Sequence, residues 1–193
     1  MILPIYPYGA PVLREQTKEV AANSEALQRL IDDLFETMRG ASGIGLAAPQ
    51  VGRRERIFVV DLSPLLEKEQ EPPVHPEDYQ PMVFINPEIL EESEEEVEYE
   101  EGCLSIPDLR EPVVRPERIR LRYLDRDFVP QEREVDAFLA RVIQHEYDHL
   151  EGILFIDRIS ALRRKLLQRR LREIANGEVE ADYPMALRTP RPA

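Results

Sequence analysis

"QHEYDHLEG", residues 144–152, holds two of the three histidines in a chain of 193 residues, and its reading decides the fold. His145 and His149 stand four apart. On a helix that spacing puts both imidazoles on one face, where they can converge on one ion, with Glu146 one residue round and within reach of a water beside it. The turns before it carry Phe138, Leu139, Val142 and Ile143, so the helix is expected to be buried rather than a surface helix with two solvated histidines. Asp136 can cap its start and Gly152 stop its end near Leu150.

Outward from that helix, the chain reads as one helix, then many strands, then two helices. Ser24 can cap a helix running to about Arg39, with Leu27, Leu30, Ile31, Leu34, Phe35 and Met38 as its apolar stripe and Gly40 closing it. "RIFVVD" (56–61), "MVFINP" (82–87), "EEVEYE" (95–100), "ERIRLRYLD" (117–125) and "FVPQEREV" (128–135) read as strands, the last at an edge or bulge because of Pro130. A basic helix is expected from Ile159 to about Ile174. This order predicts an α+β fold, with antiparallel or mixed β-strands packed around a central metal-binding helix and a C-terminal helix after it. Residues 1–175 form the expected single catalytic domain; 63–81, rich in proline, is its surface loop, and 176–193 a loosely ordered tail.

Composition excludes several classes. No apolar run is long enough to span a membrane, and the prolines of "MILPIYPYGAPVL" break any signal-peptide core. A cytoplasmic protein is expected. A net charge of −13 argues against DNA binding, which rests on clustered Lys and Arg. The charge is unevenly spread: 91–101 holds eight acids, whereas 158–172 holds seven bases and no acid. On the basic helix Ile159, Leu162, Leu166, Leu167 and Leu171 can dock, leaving Arg163, Arg164, Lys165, Arg169, Arg170 and Arg172 largely free.

A metal held by His145 and His149 needs a third protein ligand. In the metzincin pattern that ligand is a histidine six residues after the second, and here Phe155 stands there. Two candidates remain. Glu173 would give a zinc endopeptidase. Cys103, the only cysteine, would give a Cys-His-His site with a position open for water, as catalytic centres have. Such a cation generates hydroxide near neutral pH, with Glu146 accepting the proton and returning it to a leaving amine. The mixed nitrogen and sulfur donors suit zinc, ferrous iron, cobalt or nickel.

Three segments together, "GIGLAAPQVG" (43–52), "EGCLSIP" (101–107) and "QHEYDHLEG", resemble the signature segments of the peptide deformylase family in their order. The resemblance covers most of 1–175. It implies removal of the formyl group from the N-terminal formylmethionine of new polypeptides, releasing formate, with Fe2+ as the cellular ion and Zn2+, Ni2+ or Co2+ as substitutes. It also implies that the Gln50 side chain and the Leu104 backbone N–H stabilise the oxyanion. Gly43, Ile44 and Gly45 are expected to let the substrate peptide add as a strand. Ile44, Tyr99, Phe138 and Val142 are expected around the methionine side chain, Gly102 and Arg110 along the peptide, and Glu101 and Asp148 behind the ligands, linked through Arg115. Arg141 is out of keeping with an apolar wall. Bacterial family members use a C-terminal helix on the ribosome, so residues 158–173 are expected to touch it, and a chain ending at Ser160 to keep its hydrolytic activity.

Overall fold

A computed structural model describes residues 1–67 and 74–186. Its elements are α1 (Glu25–Gly40), β1 (Gly45–Ala47), β2 (Ile57–Val60), β3 (Met82–Glu92), β4 (Glu96–Cys103), β5 (Ile106–Pro116), β6 (Ile119–Leu124), β7 (Pro130–Val135), α2 (Ala137–Leu150) and α3 (Ala161–Ala175), with short 3-10 turns between. Strands β1, β2, β3, β6 and β7 form an antiparallel sheet in that spatial order, and β4 and β5 a separate hairpin. The α+β expectation holds.

Over β1, β2 and the start of β3 the sheet is buried on both faces, and the period-2 alternation of side chains divides the core accordingly, whereas β6 and β7 turn alternate polar residues to solvent. From β2, Ile57 and Val59 meet the stripe of α1, while Phe58 and Val60 meet α2 together with Phe84, Leu121 and Tyr123. The buried apolar stripe of α1 is Leu27, Leu30, Ile31, Leu34, Phe35 and Met38, and Ser24 Oγ accepts from Leu27 N at 3.2 Å at its start. Helix α2 lies between the sheet and the hairpin: its apolar residues face the sheet, while Arg141 and Gln144 donate to the carbonyls of Val97, Val113 and Pro116 on the hairpin. That sandwich makes α2 central.

Several local expectations change. β5 and β1 were not legible as strands. β5 carries Pro107, Pro112 and Pro116, and a two-stranded sheet tolerates them because each strand has an edge with no ladder partner. Asp136 occupies the cap position of α2, yet its carboxylate bonds His75 Nε2 at 2.6 Å instead of a helix amide. Within the loop expected at 63–81, residues 68–73 lie outside the described ones, but Val74 and Tyr79 pack on the core and buried Asp78 pairs with Arg133 at 2.9 Å.

Helix α3 docks by a different face than the one expected. Leu171 and Ile174 are buried against Ile106, Val113 and Phe155, with Ile159 and Leu167 partly covered, whereas Leu162 and Leu166 are 69% and 65% exposed. Its bases are also less free. Arg163 pairs with Glu111, Arg164 with Asp157, Arg169 with Glu173 and Arg170 with Asp108. The segment expected as a loose tail is, over 178–186, strapped to the body: Met185 bridges Ile5, and Tyr183 packs on the α1 core. A chain ending at Ser160 would therefore lose part of the core and this strap, so it is unsuited to testing α3 alone.

Candidate active site

Strand periodicity and helix periodicity meet at one point. On β4, Glu101 and Cys103 are two apart and face the same side; on α2, Arg141, His145 and Asp148 follow one another at helical spacing. Glu101 Oε2 lies 2.9 Å from His145 Nδ1. Arg115 of β5, 1% exposed, grips both oxygens of Glu101 at 2.6 and 2.9 Å and reaches Asp148 at 2.7 Å. Arg141 adds a bond to Glu101 at 2.6 Å, and Arg158 bonds both oxygens of Asp148 at 2.5 Å. Buried acids and bases thus compensate each other. Arg141, which looked misplaced in an apolar wall, belongs to this network and stacks over the Tyr99 ring at 5.3 Å.

Because Glu101 occupies Nδ1 of His145, Nε2 remains to bind. Ligand atoms of Cys103, His145 and His149 all lie within 4.8 Å of one another, with Cys103 Sγ 3.3 Å from His149 Nε2. Glu146 Oε2 is buried beside them with no hydrogen bond. An orphaned carboxylate oxygen next to one sulfur and two nitrogen donors fits a bound divalent cation. Glu173, the other candidate ligand, instead bonds Arg169 and Arg170 on α3. The metzincin position is filled by Phe155, whose ring stacks on His145 with centroids 6.1 Å apart.

Burial acts on each of these groups, with different outcomes. Burial pushes the Glu146 carboxyl up to about 7, against the opposing pull of His145; that is the range a general base at neutral pH needs. Burial acts on Glu101 in the same sense, but hydrogen bonds from Arg115 and His145 outweigh it and hold its carboxyl well below the usual range. Burial, reinforced by the charges of His145 and Arg115, holds His149 well below the ordinary histidine value.

Gln50 is 1% exposed. Its Oε1 accepts from Ala47 N at 2.9 Å, which turns Nε2 toward the site, 3.5 Å from Cys103 Sγ and 3.4 Å from Ser105 Oγ. Beside it runs β1, the edge of the sheet. Asp61 N donates to the Ile44 carbonyl at 2.9 Å, so in the alternation of an antiparallel ladder the peptide groups of Gly45 face the free edge. Gly45 has no room for a side chain: a Cβ there would stand 2.4 Å from Glu146 Oε1.

A cleft of about 1430 Å³ joins these parts, lined by Gly43, Ile44, Gly45, Gln50, Gly102, Cys103, Leu104, Arg110, Phe138, Val142, His145 and Glu146. Tyr99 is the exception among the expected wall residues: it stands behind Phe138, edge to face at 5.7 Å. The sequence reading missed Leu65 and the strap residues Val179–Tyr183, which also line the cleft. Nothing in their local pattern marks them, since only tertiary folding brings them there.

A cation site, a carboxylate poised near neutrality and a strand edge that can pair with a peptide together make hydrolysis of an amide bond the chemistry this cleft serves; by class the protein is a metal-dependent hydrolase. A family model described as polypeptide deformylase matches residues 2–165. A peptide deformylase of Salinibacter ruber is 62% identical over 187 residues, covering 96% of this chain and 94% of the relative. One of Flavobacterium johnsoniae is 45% identical over 187 residues, covering 96% and 95%. A crystal structure of a peptide deformylase from Legionella pneumophila superposes with a TM-score of 0.78 at 38% identity, covering 92% of this chain and 98% of that one. The chain belongs to the peptide deformylase family and is an enzyme removing the N-formyl group of nascent peptides. The endopeptidase alternative is not favoured.

The depressed Glu101 carboxyl makes stability depend on pH. Its folded value lies below the ordinary 4.5, so the stabilisation is fully present above about 4.5 and is lost as pH falls toward the folded value. In urea unfolding, Glu101→Gln is expected to cost about 3 kcal/mol at pH 7 by leaving Arg115 underpaired and to flatten the loss of stability below pH 4.5. Equal acid slopes in the two proteins would contradict this.

Proposed function

We propose that Cys103, His145 and His149 hold one divalent ion, ferrous iron in the cytoplasm, for hydrolysis of the formamide of N-formylmethionyl peptides. The donor set supports iron, zinc, nickel or cobalt alike, and iron is the ion the family resemblance implies. When bound, such an ion supplies hydroxide near neutral pH and polarises the formyl carbonyl.

The chain's own groups do the rest. Glu146 receives a proton on its uncommitted Oε2 and later delivers it to the leaving amine, releasing formate. Gln50 Nε2 and the Leu104 backbone N–H donate to the oxyanion that develops on the formyl oxygen. Gly45, with Gly43 beside it, pairs the peptide backbone as an added strand, so that the formyl group is carried to the end of the edge where Glu146 stands. Ile44, Phe138 and Val142 enclose the methionine side chain, and Gly102 and Arg110 flank the residues after it. The single observation carrying this reading is Glu146: buried, unpaired at Oε2, and packed against Gly45 on the β1 edge.

The test is formate release from formyl-Met-Ala-Ser by anaerobically purified, iron-loaded protein. Release is expected from the parent and is expected to fall by a factor of about 10²–10⁴ in Glu146→Ala, the range of a lost general base, with the metal retained. Cys103→Ala is expected to lose both activity and metal. No formate from the parent, or undiminished release by Glu146→Ala, would refute the reading.

A second reading concerns α3. Lys165 and Arg172 have no acidic partner among the described residues, and they share the helix with the exposed Leu162 and Leu166. This supports a contact between residues 158–173 and the ribosome. Lys165→Glu combined with Arg172→Glu is expected to weaken co-sedimentation with ribosomes while leaving release of formate from the short peptide unchanged; unaltered co-sedimentation would count against it.

A further inference from the structure

The turn between β4 and β5 is the part of the site least determined by its own geometry. Cys103 pairs with Ile106, leaving Leu104 and Ser105 as a two-residue connection. Two-residue hairpins favour turns with central residues at positive φ, which match the strand twist. Neither Leu104 nor Ser105 has a positive φ. The orientation of these peptides is set from outside instead.

Both carbonyls of the turn are held, each by a different end of the chain. Tyr8 N donates to the Ser105 carbonyl at 2.7 Å, and the Tyr183 hydroxyl donates to the Leu104 carbonyl at 2.8 Å. Those two ends are tied to each other: Ile5 N donates to the Pro184 carbonyl at 2.9 Å, and Ala186 N to the Ile5 carbonyl at 2.8 Å. On its other side the turn is backed by Gly43, where a Cβ would come within 2.9 Å of Leu104 Cδ1. Burial pushes the Tyr183 hydroxyl up to about 12, so it remains a donor throughout the neutral range.

We propose that Tyr183 is a positioning residue for deformylation: its hydroxyl, brought in by the C-terminal strap, holds the peptide group that follows Leu104, which restricts the Leu104 backbone and so the orientation of the adjoining Cys103–Leu104 peptide, whose N–H faces the developing oxyanion. This rests on the role given above to the Leu104 N–H. A donor aimed at developing charge is effective in proportion to how well it is preorganised. A substrate can still bind along β1 when the turn is loose, but its transition state is stabilised less. The loss therefore falls on kcat and not on KM.

Tyr183→Phe removes the hydroxyl and keeps the ring in the core. With formyl-Met-Ala-Ser, kcat is expected to fall roughly five- to tenfold, as for one lost hydrogen bond, with KM and metal content unchanged. Hydrogen–deuterium exchange of the peptide spanning 103–106 is expected to quicken in metal-free and metal-loaded protein alike. Ala186→Pro removes the amide that pins the strap to Ile5 and leaves Tyr183 in place; it is expected to quicken the same peptide. Unchanged exchange at 103–106 in both variants, or an unchanged kcat in Tyr183→Phe, would overturn the proposal. Absence of formate from the parent would instead overturn the deformylase reading, while the exchange result would still decide whether Tyr183 holds the turn.

Discussion

The bond between Glu101 and Nδ1 of His145 is the interaction on which the rest of the site depends. It fixes the imidazole and leaves Nε2 for the cation. A carboxylate this deeply buried is costly unless it is paired on every side, and Arg115 and Arg141 supply that pairing. The partners come from β4, β5 and α2, so the three elements can come together only in the arrangement that satisfies the charges. Once they do, Cys103, two residues beyond Glu101 on the same face of the strand, is brought against His149. The network that compensates buried charge thereby also assembles the ligands.

The same arrangement explains why α2 carries so little surface. One side of α2 is apolar and meets the sheet; the other presents Arg141, His145 and Asp148 to the hairpin. Glu146 lies between them, beneath the edge strand β1, and its burial is what raises its carboxyl toward neutrality. The glycine at position 45 permits that approach. The two chain ends complete the enclosure, pairing with each other and holding the turn that follows Cys103.

Much of this was legible in sequence because it follows from periodicity. The stripe of α1, the faces of α2, and the alternation in β6 and β7 repeat at fixed intervals, and two histidines four apart on a buried helix imply convergence. What escaped was set by tertiary context. β5 has prolines at three positions and was not read as a strand, yet it needs only one ladder partner. The strap over 178–186 has no period of its own and is held by Ile5 and by the core. Leu162 and Leu166 follow helical spacing as well as Leu171 does, and pattern alone could not tell which of them the body would cover. Arg141 looked out of place because its partner, Glu101, is forty residues away in sequence.

The proposed ion is held by one sulfur and two imidazole nitrogens of this chain. X-ray absorption fine structure of the protein reconstituted with a single equivalent of zinc tests it directly. The prediction is one sulfur scatterer near ~2.3 Å and two imidazole scatterers near ~2.0–2.1 Å, with the sulfur shell lost in Cys103→Ser. A first shell of nitrogen and oxygen alone in the parent protein would contradict it.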